Sequence, residues 1–178
     1  MSIQERDMER GIALLGETAL FKSIQVEKIK KILNLCSEVR FRENEIIMKE
    51  GDIGDTVYII LEGTVEVAKN LILNGEDDED PGNKVFTKLK ADGAEEHPVF
   101  GEIALLEESK RTATIKALTD CVFYELEKVA FVRLVEGDHE LGFQIMQNLA
   151  RIVSSRLRRA DEDVVKLTTV LSIVLKES

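Results

Sequence analysis

The chain has no tryptophan, and only two cysteines, two prolines and two histidines among its 178 residues. Cys36 and Cys121 are isolated, which argues against a disulfide framework. We expect both to be reduced, buried thiols of a cytoplasmic protein, and a disulfide between them is the alternative that distances decide. The two histidines, His97 and His139, are too few for a site built from several imidazoles, so no metal centre is predicted.

Long apolar runs and an excess of positive charge are also missing. No stretch approaches the roughly 20 apolar residues that cross a bilayer, and the first residues lack the apolar core of a signal peptide. The net charge of −10 argues against nucleic acid or an anionic membrane as a partner. Neither a P-loop nor a nucleophile beside a base is visible, so no catalytic residue and no enzymatic activity are predicted.

The hydrophobic period changes twice along the chain, which predicts an α+β fold. Apolar residues at helical spacing cover positions 3 to 35, with Ser23 as a candidate cap of a second helix. From Cys36 the period becomes two, in short strands separated by turn signals, which is typical of an antiparallel roll or sandwich. The last third is helical again, with a break at Gly137-Asp138 and a long helix over about His139 to Leu175.

The stretch from Val99 to Ile115 carries the most specific chemistry. Gly101 and Glu102 open a predicted very short helix, whose first backbone N–H groups lack helical partners and suit a phosphate. Nine positions after Glu102, the guanidinium of Arg111 can fork onto two phosphate oxygens. Because an ionised Glu102 only accepts hydrogen bonds, it suits a sugar hydroxyl. An anion site and a hydroxyl site on one segment indicate a ribose phosphate.

The same stretch resembles the phosphate-binding cassette of the cyclic nucleotide-binding domain family, which has F-G-E-[LI]-A-L, a short spacer and R-[ASTC]-A-[TS]. Lys110 departs from the pattern, since the family often has proline there. A similar order of glycines and apolar residues, E-G-D-x-G-D-x-x-Y-I-I-x-x-G-x-V-x-V, extends the resemblance from about Phe21 to Asp161. The cassette matches at Phe100, Gly101, Glu102, Ile103, Ala104, Leu105, Arg111, Thr112, Ala113 and Thr114.

The resemblance implies an antiparallel eight-stranded β-roll, a double-stranded jelly roll, with N-terminal helices and a long C-terminal helix. It divides the chain into a helical lead-in (1–35), a nucleotide-binding roll (36–127) and a lid and dimerisation helix (128–178). The family's arginine pairs with the cyclic phosphate, and its glutamate binds the ribose 2′-hydroxyl. The implied ligand is cAMP or cGMP, with no enzyme cofactor. The implied binding residues are Phe100, Gly101, Glu102, Ile103, Ala104, Arg111, Thr112, Ala113 and Arg156.

Two of these assignments have alternatives. In the family, threonine at the position of Thr112 is associated with cGMP and alanine with cAMP, but threonine also suits a strand for its β-propensity alone. Arg156 falls where family members of the catabolite activator type contact the base, and its guanidinium can stack on a purine. It also begins the basic run Arg156, Arg158, Arg159, which precedes acidic residues 161–163 and can form ion pairs along the helix.

The long helix carries apolar residues alternately four and three positions apart. This heptad spacing predicts a coiled coil, and we expect a parallel homodimer. The alternative is that residues 164–175 fold back onto their own roll. The seam consists of Met146, Ala150, Val153, Leu157, Ala160, Val164, Leu167, Leu171 and Val174.

The acidic run Glu76 to Asp80 suggests calcium or a basic partner, but it lacks the spacing of an EF-hand. We expect a solvated hairpin tip there, and a solvated His97 in the following loop.

These features predict a non-catalytic regulatory module that binds a cyclic nucleotide, dimerises and acts on an unidentified downstream protein. The alternative is a scaffold that keeps the fold and the dimerisation helix around a pocket without ligand. A transcription factor of the catabolite activator type is a third interpretation. It is disfavoured because a DNA-binding helix-turn-helix would follow the long helix, and the sequence ends at Ser178.

Overall fold

The computed structural model describes residues 3–70, 83–90, 98–106 and 110–176, with side chains from residue 8 onward except at 70 and 83–90. The acidic run at 76–80 and His97 therefore lie outside the described residues. The helices are α1 (Ile3–Glu17), α2 (Val26–Leu33), α3 (Ile103–Leu106), α4 (Lys128–Gly137) and α5 (His139–Lys176), with a 3-10 turn at Ala19–Phe21.

The strands form two sheets in which every pairing is antiparallel. One has the order β1-β8-β3-β6 and the other β2-β7-β4-β5, so each sheet combines strands from both halves of the chain. The predicted mixture of helices, antiparallel strands and a long C-terminal helix is confirmed. The strands are β1 (Cys36–Phe41), β2 (Ile46–Met48), β3 (Thr56–Glu62), β4 (Thr64–Asn70), β5 (Asn83–Lys90), β6 (Val99–Phe100), β7 (Thr114–Ala117) and β8 (Cys121–Glu127).

The continuous apolar run in β3 reflects burial on both of its faces, because alternate side chains of a strand point to opposite sides. Tyr58 and Ile60 join a core between the two sheets that includes Phe123 of β8 and Ile115 of β7. Val57 and Ile59 face a second core, formed with the helices and including Phe21 and Phe131. One sheet is thus covered on both sides, by the other sheet and by the helices.

The start of α2 differs from the prediction. Ser23 is not the cap of α2: it has a φ of 64°, and Gln25 occupies the capping position without a side-chain hydrogen bond.

The strand register pairs Cys36 with Leu126 and Phe41 with Cys121. The two cysteines therefore lie at opposite ends of the β1–β8 ladder, with their Cα positions roughly 17 Å apart along the strands at about 3.3 Å per residue. Both cysteines are free, as predicted, and burial raises the pKa of the Cys36 thiol to about 12.

The break between α4 and α5 falls at the predicted position. Asp138 lies between them, and its carboxylate accepts a hydrogen bond from the backbone N–H of Leu141 at 3.0 Å. Only the first three turns of α5 are buried, at Leu141, Ile145, Asn148 and Leu149. α5 continues unbroken to Lys176 with its distal part exposed, so the fold-back alternative is wrong. Within the described ranges, no helix combines the length and apolar character needed to cross a membrane.

Candidate functional site

Arg111 lies at the inner end of the site, with only 9% of its surface exposed. Its Nη1 donates to the Thr56 carbonyl at 2.9 Å and its Nη2 to the Thr56 hydroxyl at 2.8 Å. The backbone N–H of Arg111 donates to the Asp52 carbonyl at 2.7 Å, and the Gly51 N–H donates to the Arg111 carbonyl at 2.9 Å. The turn that precedes β3 therefore fixes the backbone of this arginine, and Thr56, the first residue of β3, fixes its guanidinium.

Two glycines lie directly against the guanidinium. A Cβ at Gly54 would collide with Arg111 Nε and Cζ. At Gly101 the φ is +78°, and a Cβ there would lie 2.7 Å from the Thr56 carbonyl oxygen and 2.8 Å from Arg111 Nη1. Gly101 thus provides both a left-handed turn and a close approach to the arginine, which only glycine does without strain.

α3 is a single turn after Gly101, and its amides are partly used within the turn. The Ala104 N–H donates to the Gly101 carbonyl at 3.1 Å, and the Leu105 N–H donates to the Glu102 carbonyl at 3.0 Å. The amides that precede Ala104 take no part in these two bonds.

Glu102 is almost completely buried, at 1% exposed, and its carboxylate is paired with Arg156 of α5. The second terminal nitrogen of Arg156 donates to the Val99 carbonyl at 2.7 Å. Arg156 therefore pairs with a residue of the roll and not along its own helix. It also lines the cavity, and its contact with a base stays a prediction. It joins α5 to the segment that carries Gly101 and Glu102.

A cavity of about 440 Å³ opens between the roll and α5. This volume lies within the range of small-molecule sites. All nine residues predicted to bind ligand line it: Phe100, Gly101, Glu102, Ile103, Ala104, Arg111, Thr112, Ala113 and Arg156. The walls also include residues that were not predicted to bind ligand, namely Met48, Gly54, Val67, Lys110, Ile115, Arg159, Ala160 and Asp163.

Most of these further residues come from parts of the chain that meet only in the folded protein. Met48 and Val67 belong to strands of the second sheet and supply apolar wall. Arg159, Ala160 and Asp163 lie one and two turns beyond Arg156 on α5. For Gly54 a signal existed, since it is the second glycine of the E-G-D-x-G-D pattern, but nothing in the sequence paired it with Arg111.

The described cavity wall is positive although the whole chain is acidic. Its basic side chains are Lys110, Arg111, Arg156 and Arg159, against the carboxylates of Glu102 and Asp163. Opposite charges pair Arg156 with Glu102, whereas no carboxylate among the described residues lies within ion-pair distance of Arg111. The field at the inner end of the cavity therefore favours an anion.

Aromatic packing supports the floor beside Gly101. Phe100 stacks on Tyr58 with ring centroids 5.3 Å apart, and both rings contact Phe123 edge-on. The Tyr58 hydroxyl donates to the Glu125 carboxylate at 2.9 Å, and burial is the main cause that raises the pKa of Tyr58. Phe100, the residue before the glycine turn, is thus anchored in the core.

Comparison with known proteins gives a family for this geometry. A model of the cyclic nucleotide-binding domain matches residues 38–138, which is more than half of the chain. The chain belongs to the cyclic nucleotide-binding domain family, and the resemblance seen in the sequence is confirmed. The domain in this family is a regulatory, ligand-binding module.

The curated relatives are longer than this chain, which matches only part of each. The chain is 31% identical to a cGMP-dependent protein kinase of Drosophila melanogaster over 167 residues, covering 94% of this chain and 14% of that protein. It is 32% identical to a cAMP-dependent protein kinase regulatory subunit of Schizosaccharomyces pombe, covering 78% of this chain and 29% of that protein. The chain thus spans less than a third of the length of either relative.

A solved structure supports the fold. The crystal structure of a cyclic nucleotide-binding domain from Methylobacillus flagellatus superposes with a TM-score of 0.74 and 20% identity, covering 90% of this chain and 84% of that one.

Proposed function

We propose that this chain is a regulatory module that binds a cyclic purine nucleotide, cAMP or cGMP, and has no catalytic role of its own. The observation that carries the proposal is Arg111: a guanidinium only 9% exposed, in a cavity wall, without a carboxylate partner among the described residues. A buried charge is costly unless it is paired. A ligand phosphate supplies the missing anion.

The hydrogen-bonding capacity of Arg111 fits that role. A guanidinium has five N–H donors, and Thr56 accepts from two terminal nitrogens while holding the group in place. Donors remain for the oxygens of a singly charged cyclic phosphate, in the fork geometry that arginine offers. The absence of a side chain at Gly101 allows such a phosphate to lie close to the backbone.

Glu102 is the proposed partner of the ribose 2′-hydroxyl. Arg156 donates to one of its carboxylate oxygens, Oε1. Because a carboxylate offers acceptor positions on two oxygens, Oε2 can still accept from a hydroxyl. Arg156 then orients Glu102 for the ribose.

The distal half of α5 is the proposed dimerisation element. Its seam residues are exposed in the single chain, with Leu157 at 62%, Leu167 at 65% and Leu171 at 58% exposure. A helix with such a sustained apolar seam gains stability from a second helix. We propose a parallel homodimer with this seam at its interface, and a downstream protein partner, as the kinase relatives suggest.

The test is calorimetric titration of the purified chain with cAMP and with cGMP, comparing wild type, Arg111→Ala and Arg158→Ala. Arg158 is an exposed arginine of α5 that does not line the cavity, so its replacement controls for general charge. We expect Arg111→Ala to lose roughly 2–5 kcal/mol of binding free energy and Arg158→Ala to bind as wild type does. Circular dichroism checks that each variant is folded.

A folded wild-type protein that binds neither nucleotide would overturn the proposal and favour the scaffold alternative. Equal binding by wild type and Arg111→Ala would overturn the phosphate assignment alone.

A further inference from the structure

Three residues that do not line the cavity connect its inner arginine, Arg111, to a carboxylate. Thr56 and Tyr58 lie two positions apart on β3, so their side chains project from the same face of the strand. Glu125 of β8 pairs directly with Tyr58 in the strand register, and directly opposed residues of an antiparallel pair share a face. The three side chains are therefore neighbours on one face of this sheet.

The hydrogen bonds along this face run in one direction, from the guanidinium to the carboxylate. Arg111 Nη2 donates to the Thr56 hydroxyl at 2.8 Å. At the other end, the Tyr58 hydroxyl donates to Glu125 Oε1 at 2.9 Å. Burial raises the pKa of Tyr58, whereas a hydrogen bond with the Thr56 side chain and the charge of Arg111 lower it. Since a hydroxyl group both accepts and donates, Thr56 can join the two bonds into one chain.

The interior position of this chain gives the distant carboxylate an influence on the guanidinium. Tyr58 is only 8% exposed, and hydrogen bonds in series polarise one another in such surroundings. Glu125 thereby makes the Thr56 oxygen a better acceptor for Arg111. A carboxylate in direct contact with the guanidinium would occupy the donors that a phosphate needs. Glu125, two hydroxyl groups away, offsets part of the buried charge and leaves the remaining donors for the ligand.

We propose that Glu125, acting through the hydroxyl groups of Tyr58 and Thr56, is a positioning residue for Arg111; this inference rests on the proposed function. The chain holds the guanidinium in its phosphate-binding orientation before the ligand arrives, which reduces the ordering cost of binding. Because Arg111 is assigned to the phosphate, which both nucleotides share, the chain should act equally on cAMP and cGMP.

The Tyr58 ring has a second role, which a substitution can separate from the first. It stacks on Phe100 with ring centroids 5.3 Å apart, and Phe100 lines the cavity. Tyr58→Phe keeps this ring contact and removes only the hydroxyl group. Thr56→Val likewise keeps the shape of the side chain and the backbone carbonyl that accepts from Arg111 Nη1.

The experiment measures the dissociation constants of cAMP and cGMP, and the free energy of unfolding, for Tyr58→Phe, Thr56→Val and the double variant. Tyr124→Phe is the matched control, because Tyr124 packs against the helical core and does not line the cavity. Glu125→Gln is compared with Glu127→Gln, since Glu127 is exposed on the same strand.

We expect Tyr58→Phe to raise both dissociation constants by the same factor, roughly three- to tenfold, as the loss of one net hydrogen bond does. Tyr124→Phe should leave both constants unchanged. In the Thr56→Val background the chain is already broken, so Tyr58→Phe should not weaken binding further, although it should still lower the free energy of unfolding. Glu125→Gln keeps an acceptor oxygen and loses the charge, so both nucleotides should bind more weakly by a smaller factor. Glu127→Gln should weaken neither.

Three results would overturn the inference while leaving the proposed function standing. They are wild-type affinity in Tyr58→Phe, an equal loss of affinity in Tyr124→Phe, or a full further loss when Tyr58→Phe is added to Thr56→Val. Equal affinity in Glu125→Gln and Glu127→Gln would also overturn it, and this pair decides if Tyr58→Phe does not fold. A folded wild-type protein that binds neither nucleotide would instead overturn the proposed function and this inference together.

Discussion

Arg156 of α5 donates to the carboxylate of Glu102, 54 residues earlier in the chain. The two ends of this ion pair differ in exposure, since the Glu102 side chain is 2% exposed and that of Arg156 is 47% exposed. The pair links the projecting helix to the segment that carries the glycine turn. Any ligand that contacts Glu102 therefore acts on a group that α5 already holds.

The difference in exposure predicts that Arg156→Gln and Glu102→Gln lower the free energy of unfolding by unequal amounts. Arg156→Gln leaves a buried carboxylate unpaired and should destabilise the fold by about 1–3 kcal/mol, between the values for exposed and fully buried pairs. Glu102→Gln should cost less, because the freed arginine can turn toward water. The double variant should be no less stable than Arg156→Gln alone. Urea unfolding at neutral pH measures all three, with Arg158→Gln as a control expected to match wild type.

A larger cost for Glu102→Gln than for Arg156→Gln would contradict this account of the pair.

Gly101 and Gly16 form a matched test of backbone requirements. A methyl group at Gly101 meets the Thr56 carbonyl and Arg111 on a backbone with φ of +78°, whereas one at Gly16 has nothing within 4 Å and lies in α1. We expect Gly101→Ala to cost about 1–3 kcal/mol of folding free energy and to weaken cyclic nucleotide binding. Gly16→Ala should stabilise by about 0.5–1 kcal/mol and leave binding unchanged.

Thermal unfolding and titration with cAMP and cGMP measure both effects. Unaltered nucleotide affinity in Gly101→Ala would show that this turn does not approach the ligand.

The junction between α4 and α5 predicts a pH dependence of stability. Asp138 accepts from the Leu141 backbone N–H, and Lys28 of α2 donates to it at 3.0 Å. The amide of Leu141, followed by Lys28, lowers the pKa of Asp138 below its ordinary value of 3.8. A carboxyl with a lowered folded pKa stabilises above its unfolded pKa, and this contribution is lost as pH falls through the folded pKa.

Asp138→Asn keeps an oxygen for the Leu141 amide and removes the charge that faces Lys28. We expect it to be less stable than wild type at pH 7 and the difference to vanish toward about pH 2. The pKa of Lys28 is raised, chiefly by its hydrogen bond to Glu140, so Lys28 stays charged throughout. Urea midpoints across this pH range provide the measurement, and a difference that persisted at the acid end would argue for a packing effect instead.

The proposed dimer depends on the apolar seam of α5. Leu167 is a seam residue and 65% exposed in the single chain, whereas Thr169 lies two positions on, outside the seam. Leu167→Asp should give a protein of 20.0 kDa, the mass of one chain, while wild type and Thr169→Asp sediment at twice that mass. Charge on a dimer seam is disfavoured, and charge on the outer face is not. Sedimentation equilibrium measures the mass of each protein in solution. A wild-type protein with the mass of a single chain would refute the dimer.

The sequence by itself determined the elements and the cassette. Local spacing is sufficient for this, because the change from helical to two-residue period reports which face of each element is buried. The spacing of Gly101, Glu102 and Arg111 likewise depends on one contiguous segment. Both the break at Gly137-Asp138 and the long helix after it followed from turn residues and heptad spacing.

Only the tertiary structure decided which residues are the hydrogen-bond and ion-pair partners of the charged side chains. Arg111 bonds to Thr56, 55 residues away, and Lys28 bonds to Asp138, 110 residues away. Such partners meet through sheet pairing and helix packing, which no local pattern encodes. The pairing of Arg156 with Glu102 was missed for the same reason, since a basic run looks alike whether it faces water, a purine or a buried carboxylate. Distance in space, and not spacing in the chain, sets electrostatic pairing.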